Sequence, residues 1–182
     1  MINRPVTLDA STLLNLLATG EAESILRALV VSKFVCSAVA GEVLYLRSTN
    51  PDDAPEQVSI DPLIEAGLLT AAKPESPEEE AQFVDFAATL DDGEAMSLAI
   101  CVCRGYVLAT DDRKARRIAE ALSTPVPLLA TSELVSQWAQ KNSVVSTRIQ
   151  EVLTAVDLRA RFHPWQGYPL RDWWLKILQG PL

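Results

Sequence analysis

Histidine is nearly missing from this chain: His163 is the single one in 182 residues. Mechanisms built on paired imidazoles, and zinc sites rich in them, have nothing to stand on. Cysteine is scarce as well. Cys36, Cys101 and Cys103 form an odd set in no metal-ligand spacing, and the expectation is buried free thiols in a reducing compartment. No apolar run reaches the roughly 20 residues that span a membrane, and the opening MINRPVTLDA has neither a long apolar stretch nor a small-residue cleavage site. The expected location is therefore the cytoplasm, with no membrane partner. Basic residues are also in deficit, 16 Lys and Arg against 24 Asp and Glu, for a net charge of −8. Phosphate binding is dominated by Lys and Arg, so such a balance argues against a broad nucleic-acid surface. It is compatible with a carboxylate-rich metal site that has basic residues grouped nearby.

What is present is an ordinary globular composition, 48% hydrophobic and 22% charged, in a length that suits one domain or one domain with a terminal addition. PVTLD reads as a strand ended by an acid, and ASTLLNLLATG continues at helical spacing up to Gly20. Residues 21–31 read as a second helix, 33–36 as a short strand, and 37–47 as a third helix capped by Ser37. Residues 48–62, with three prolines, suggest a loop around at most one short edge strand. A strand over 68–72 precedes the helix SPEEEAQFVDFAATL, with Ser76 as cap, Pro77 at the first position and acids in the first turn. LDDGEAMSLAICVCRG follows as a mostly buried helix, then the strand YVLAT, a basic helix over 112–122, a strand or turn at PVPLLA, and helices over 131–140 and 143–161. Strand and helix in alternation specify an α/β fold with a parallel sheet. The stretch 162–182 holds three of the four tryptophans; Trp173, Trp174, Ile177 and Leu178 share a helical face, to pack on the core or to form a dimer or partner surface.

In a parallel α/β sheet, sites form where the carboxyl ends of strands meet the loops that follow. Asp9 ends the first strand, and Asp111 and Asp112 end YVLAT. Glu94, in the first turn of the apolar helix, and Glu42, three residues after Val39, can reach the same crevice. Each acid also has a plainer explanation as a helix cap, a first-turn acid or a solvated side chain. As a set they would raise one another's pKa and cost stability unless a cation neutralised them. All-oxygen donors suit Mg²⁺ or Mn²⁺. Behind them Arg113, Lys114, Arg116 and Arg117 can meet flanking phosphates, although four residues cannot share one helical face and about half are expected to be solvated decoration paired with Glu120.

The segments VTLDAST, SAVAGEV, LDDGEAMSLAI and LATDDRKARRIA, in that order, resemble the PIN-domain nucleases and in particular the relatives of VapC toxins. The resemblance covers roughly residues 5 to 140. It implies a three-layer α/β/α Rossmann-like PIN domain over 1–140, and the residues beyond it, 141–182, read from their own helical spacing as a C-terminal helical extension. It further implies an Mg²⁺- or Mn²⁺-dependent endoribonuclease acting on RNA; the role of toxin in a toxin-antitoxin pair, with an antitoxin protein as partner, and a homodimer formed through the C-terminal tail are open alternatives beside it. Carried over by motif, Asp9, Glu42, Glu94 and Asp112 are the catalytic acids. Ser11 and Thr110 support them, Asp111 either ligates the metal or caps the next helix, and Arg113, Arg116 and Arg117 bind substrate. Position 94 is Glu where the toxins usually carry Asp. The competing reading is a catalytically silent PIN-like scaffold that binds partners through the tryptophan-rich tail. A haloacid-dehalogenase-type phosphatase wants a second Asp two residues after the first, and position 11 is Ser.

Overall fold

The structure is a computed structural model that describes residues 3–42, 44–50 and 52–180. It divides into two compact units. The first comprises residues 1–13, 30–42 and 60–129; the second comprises 14–29, 43–59 and 130–182.

The first unit is built on a five-stranded, wholly parallel sheet formed by β1 (Val6–Leu8), β2 (Lys33–Cys36), β5 (Thr70–Ala72), β6 (Val107–Ala109) and β7 (Leu128–Leu129), in the order β5-β2-β1-β6-β7. The shared registers Val6 to Lys33 and Val6 to Val107 fix β1 between β2 and β6. β1 is buried at all three positions, as a strand covered on both faces must be. From β1 the chain reaches β2 and β5 in one direction, and β6 and β7 in the other. Right-handed crossovers then place connections of opposite direction on opposite faces. This is the expected α/β class in its three-layer α/β/α form.

Two helices of this unit shape the site. α5 (Pro77–Ala87) starts as the sequence indicates, with Ser76 accepting from the Glu79 amide at 3.2 Å and three glutamates in the first turn. α6 (Asp92–Arg104) is the buried helix; Ala95, Leu98, Ala99 and Cys101 join Phe86, Leu90 and Leu108 in one apolar cluster. It stops at Gly105, whose φ of 67° is the left-handed geometry that glycine adopts without strain. The same cluster takes in Ala115 and Ala119 of α7 (Arg113–Ala121).

Three expectations need correction. The helix over 37–47 is a four-residue turn, α3 (Ser37–Ala40), capped by Cys36 rather than Ser37, because the Cys36 thiol accepts from the Val39 amide. Gly41 and Glu42 then form a turn, Val43 lies outside the described residues, and β3 (Leu44–Leu46) follows with alternate burial typical of a strand. β3 pairs antiparallel with β4 (Glu56–Val58), the one edge strand expected within 48–62, and α4 (Asp61–Glu65) begins before that stretch ends. The helix over 143–161 begins later, as α9 (Ser146–Ala155), and ends in a π-helical turn, Val156–Ala160, closed by Arg161 at φ 55°. Finally, Cys36 and Cys101 are buried free thiols but Cys103 is exposed. Cys101 and Cys103, two residues apart on α6, point to different sides of the helix.

The second unit contains α2 (Ala22–Ala28), α8 (Thr131–Lys141), β3, β4, α9 and α10 (Arg171–Gln179). α10 packs on α9 with Trp174 fully buried, and Trp174 meets Phe162 edge-on at 5.7 Å. Trp173 on the same helix is half-buried, and residues 181 and 182 of this tail are outside the described set.

Candidate functional site

The site begins where β1 runs out. The Asp9 amide donates to the Ala109 carbonyl at 3.0 Å, which brings the carboxyl ends of β1 and β6 side by side. The Asp9 side chain is 1% exposed. It serves α1 (Ala10–Ala18) as a cap, accepting from the Thr12 amide at 2.8 Å, and it also accepts from the Ser11 hydroxyl at 2.9 and 3.0 Å and from the Thr110 hydroxyl. The plain explanation for Asp9 is therefore realised, yet it is incomplete. Burial pushes its pKa up to about 7, the nearby Asp111 carboxylate adds to the rise, and the hydrogen bonds only moderate it. Among the described residues Asp9 has no ion pair. Ser11 is a connector, because its hydroxyl also accepts from the buried Asp111 amide at 3.0 Å.

The two adjacent acids have different tasks. Asp112 caps α7, its carboxylate accepting from the Lys114 and Ala115 amides at 2.7 and 2.8 Å, while its own amide donates to the Thr110 hydroxyl at 3.1 Å. Asp111 is left beside Asp9. Along α7, Ala115 and Ala119 face the core while Arg113, Lys114 and Arg117 are exposed. Arg116 is the exception: its Nη1 donates to the Thr110 carbonyl at 2.9 Å and the Leu129 carbonyl at 3.3 Å, tying β6 to β7 at their ends. Lys114 reaches the Thr89 carbonyl.

A second acidic group surrounds the start of α6. Asp91 and Glu94 form a capping box, with the Glu94 amide donating to Asp91 Oδ1 at 2.8 Å and the Asp91 amide donating to Glu94 Oε2 at 3.4 Å. Glu94 is pushed up to about 7, first by burial, then by Asp112 and Asp91. The Glu42 carboxyl is raised by burial and by Asp91. Asp91 is the member that sequence reasoning overlooked; the D-x-x-E pattern at the start of an apolar run was its signal.

The acids thus gather as Asp9 with Asp111 at the strand ends, and as Glu42, Asp91, Glu94 and Asp112 at the helix start. The Asp111–Asp112 peptide joins the two groups. Among the described residues, no three acids already stand together as a ready ligand cage. The donor chemistry still fits a hard divalent cation, because every donor is an oxygen, and Mg²⁺ keeps several waters while needing only one or two carboxylates. A buried carboxylate without an ion pair, next to a second acid, is electrostatically incomplete, a deficit that a bound cation would offset.

No curated protein and no solved structure gives a significant match to this chain. A family model described as a PIN domain (DUF3368) matches residues 5–162, running past the last motif into α9 and the π-turn. With that span and this fold, the chain belongs to the PIN-domain family, whose members are in general nucleases.

Proposed function

We propose that the protein is an Mg²⁺- or Mn²⁺-dependent endoribonuclease. The observation that carries this reading is the wholly buried Asp9, raised to about 7 beside Asp111, at the meeting point of two parallel strand ends. Asp9, Asp111, Glu94 and Asp112 would hold the cation, and Glu42 would contribute from the turn beside the start of α6. A divalent ion there supplies a water of lowered pKa and offsets charge on the leaving oxygen. The chain's own residues do the rest. Ser11 and Thr110 fix the rotamer of Asp9 by donating to it. Asp112 starts α7, and so aims the exposed Arg113 and Arg117 at phosphates flanking the scissile one. Arg116 sets the floor by clamping two strand ends rather than lying open to solvent.

The reaction class is phosphodiester hydrolysis with no protein nucleophile, which suits a chain with one histidine. As an extension of that reading, the protein is a toxin whose antitoxin is a small protein encoded in an adjacent frame. The decisive assay is cleavage of single-stranded RNA with Mg²⁺ or Mn²⁺, with EDTA, and with Asp9→Asn or Asp111→Asn. Cation-dependent cleavage lost in both variants is expected. A folded wild-type chain that cuts nothing under any cation would establish the silent-scaffold alternative instead.

A further inference from the structure

Gly93 lies in the first turn of α6, where helix propensity alone would favour alanine. Its surroundings forbid one. A Cβ built on Gly93 would lie 2.8 Å from Glu42 Oε1, 2.8 Å from Val39 Cγ2 and 3.5 Å from Asp91 Oδ1. Contacts under 3 Å between a Cβ and other heavy atoms are repulsive, so one partner would have to leave. The same glycine presents its carbonyl to the buried Cys36 thiol at 3.5 Å, and one turn on, the Ser37 hydroxyl meets the Met96 sulfur at 3.6 Å. The turn after β2 is therefore seated on the first turn of α6, with Gly93 in the contact.

The two close atoms are not equivalent. Val39 is 1% exposed and belongs to the core, whereas Glu42 Oε1 is the far end of a flexible side chain on a surface turn. A methyl group at 93 would be accommodated mainly by pushing the carboxylate away. We propose that Gly93 is a positioning residue: its missing side chain is the notch in which the Glu42 carboxylate rests against the start of α6, beside Asp91. This inference depends on the metal-dependent function proposed above, to which Glu42 contributes an acid from the turn that follows α3.

The test uses the full-length, metal-free chain and Mn²⁺ alone as the probe, with affinity read by electron paramagnetic resonance of the free ion. Gly93→Ala is made with Val39→Ala so that the apolar clash is relieved and the protein folds. Against Val39→Ala alone it should weaken Mn²⁺ binding roughly 10- to 100-fold, the range found when a ligand's support is removed. Glu42→Gln should weaken binding similarly, and adding Gly93→Ala to it should change nothing further. Shortening the acid in Gly93→Ala/Glu42→Asp should restore most of the loss, a rescue that general damage to packing would not give. In the metal-free protein, nuclear Overhauser contacts between the Glu42 γ-protons and the Gly93 α-protons should be present in wild type, with those to position 93 lost in Gly93→Ala. Unchanged affinity in a folded Gly93→Ala, or an effect that adds in full to that of Glu42→Gln, overturns the proposal. No Mn²⁺ binding by the wild type would overturn the underlying function as well, and is told apart because it appears before any substitution is made.

Discussion

At the scale of single residues, Asp9 sets two measurable pH dependences. In the folded protein it keeps its proton up to about pH 7, whereas in an unfolded chain it releases it near 3.8. Between those values the folded state binds more protons than the unfolded one, so stability falls as pH rises through that window and is level on either side of it. For a fully buried carboxyl the contribution is roughly 4 kcal/mol against the folded state above pH 7. Asp9→Asn should abolish cleavage and yet, without metal, unfold at higher urea than wild type at pH 8, with the difference closing toward pH 4. An offset that stays constant across pH would contradict this account of Asp9. The second dependence concerns the ion. Because Asp9 and Glu94 are both raised to about 7 and ligands must be deprotonated to bind, Mn²⁺ affinity should climb between pH 5.5 and 8, as followed by calorimetry. A flat affinity over that interval would remove both acids from the ligand set.

At the scale of elements, α5 and α6 are joined by a two-pronged ion pair between the half-buried Arg104 and the buried Glu79. Arg104 Nε and Nη2 donate to the Glu79 carboxylate at 2.7 and 2.8 Å, Nη2 also reaches the Lys73 carbonyl at 2.8 Å, and Glu79 accepts from the Glu75 amide at 2.7 Å. Glu79 is 4% exposed and its carboxyl is held below the usual range, chiefly by Arg104. Arg104→Met strands that carboxylate, and should cost about 3–5 kcal/mol in denaturant unfolding. Adding Glu79→Gln should recover much of it, and failure to recover would mean the loss comes from the arginine's packing. The same scale shows what was legible beforehand. β2, α5, α6 and α7 were readable because their signals are local: a bounded apolar run, Ser76 before Pro77, an apolar run closed by Gly105, and an acid at the cap of a basic helix. Residues 37–47 were not, because the choice between helix and strand there is made by β4, a partner whose Val58 pairs with Leu44 across an intervening loop. The candidate acids were legible as a list, and the strand-end positions of Asp9 and Asp111 followed from topology. How Glu42 meets α6 was not, since it depends on a glycine's empty volume, which no periodicity reports. Which of Asp111 and Asp112 caps α7 likewise needed the backbone.

For the whole molecule, a net charge of −8 would confine attraction for the proposed RNA substrate to a small area. If Arg113 and Arg117 neutralise two phosphates, the logarithm of single-stranded RNA affinity should fall with that of salt at a slope of about −1.4. A much steeper slope would point to a wider basic surface than α7 offers. No helix among the described residues is long and apolar enough to cross a membrane. The order in which the sheet is assembled has a further consequence during synthesis on the ribosome. β1 leaves the exit tunnel with Asp9 at its tip well before the strand that flanks it on one side, β6, and the acids Asp111 and Asp112, the first of which lies 100 residues after Ser11. A nascent or prematurely terminated product therefore carries an unpaired central edge and an incomplete set of carboxylates. Such a product would need chaperone cover along that edge before it could acquire the proposed activity.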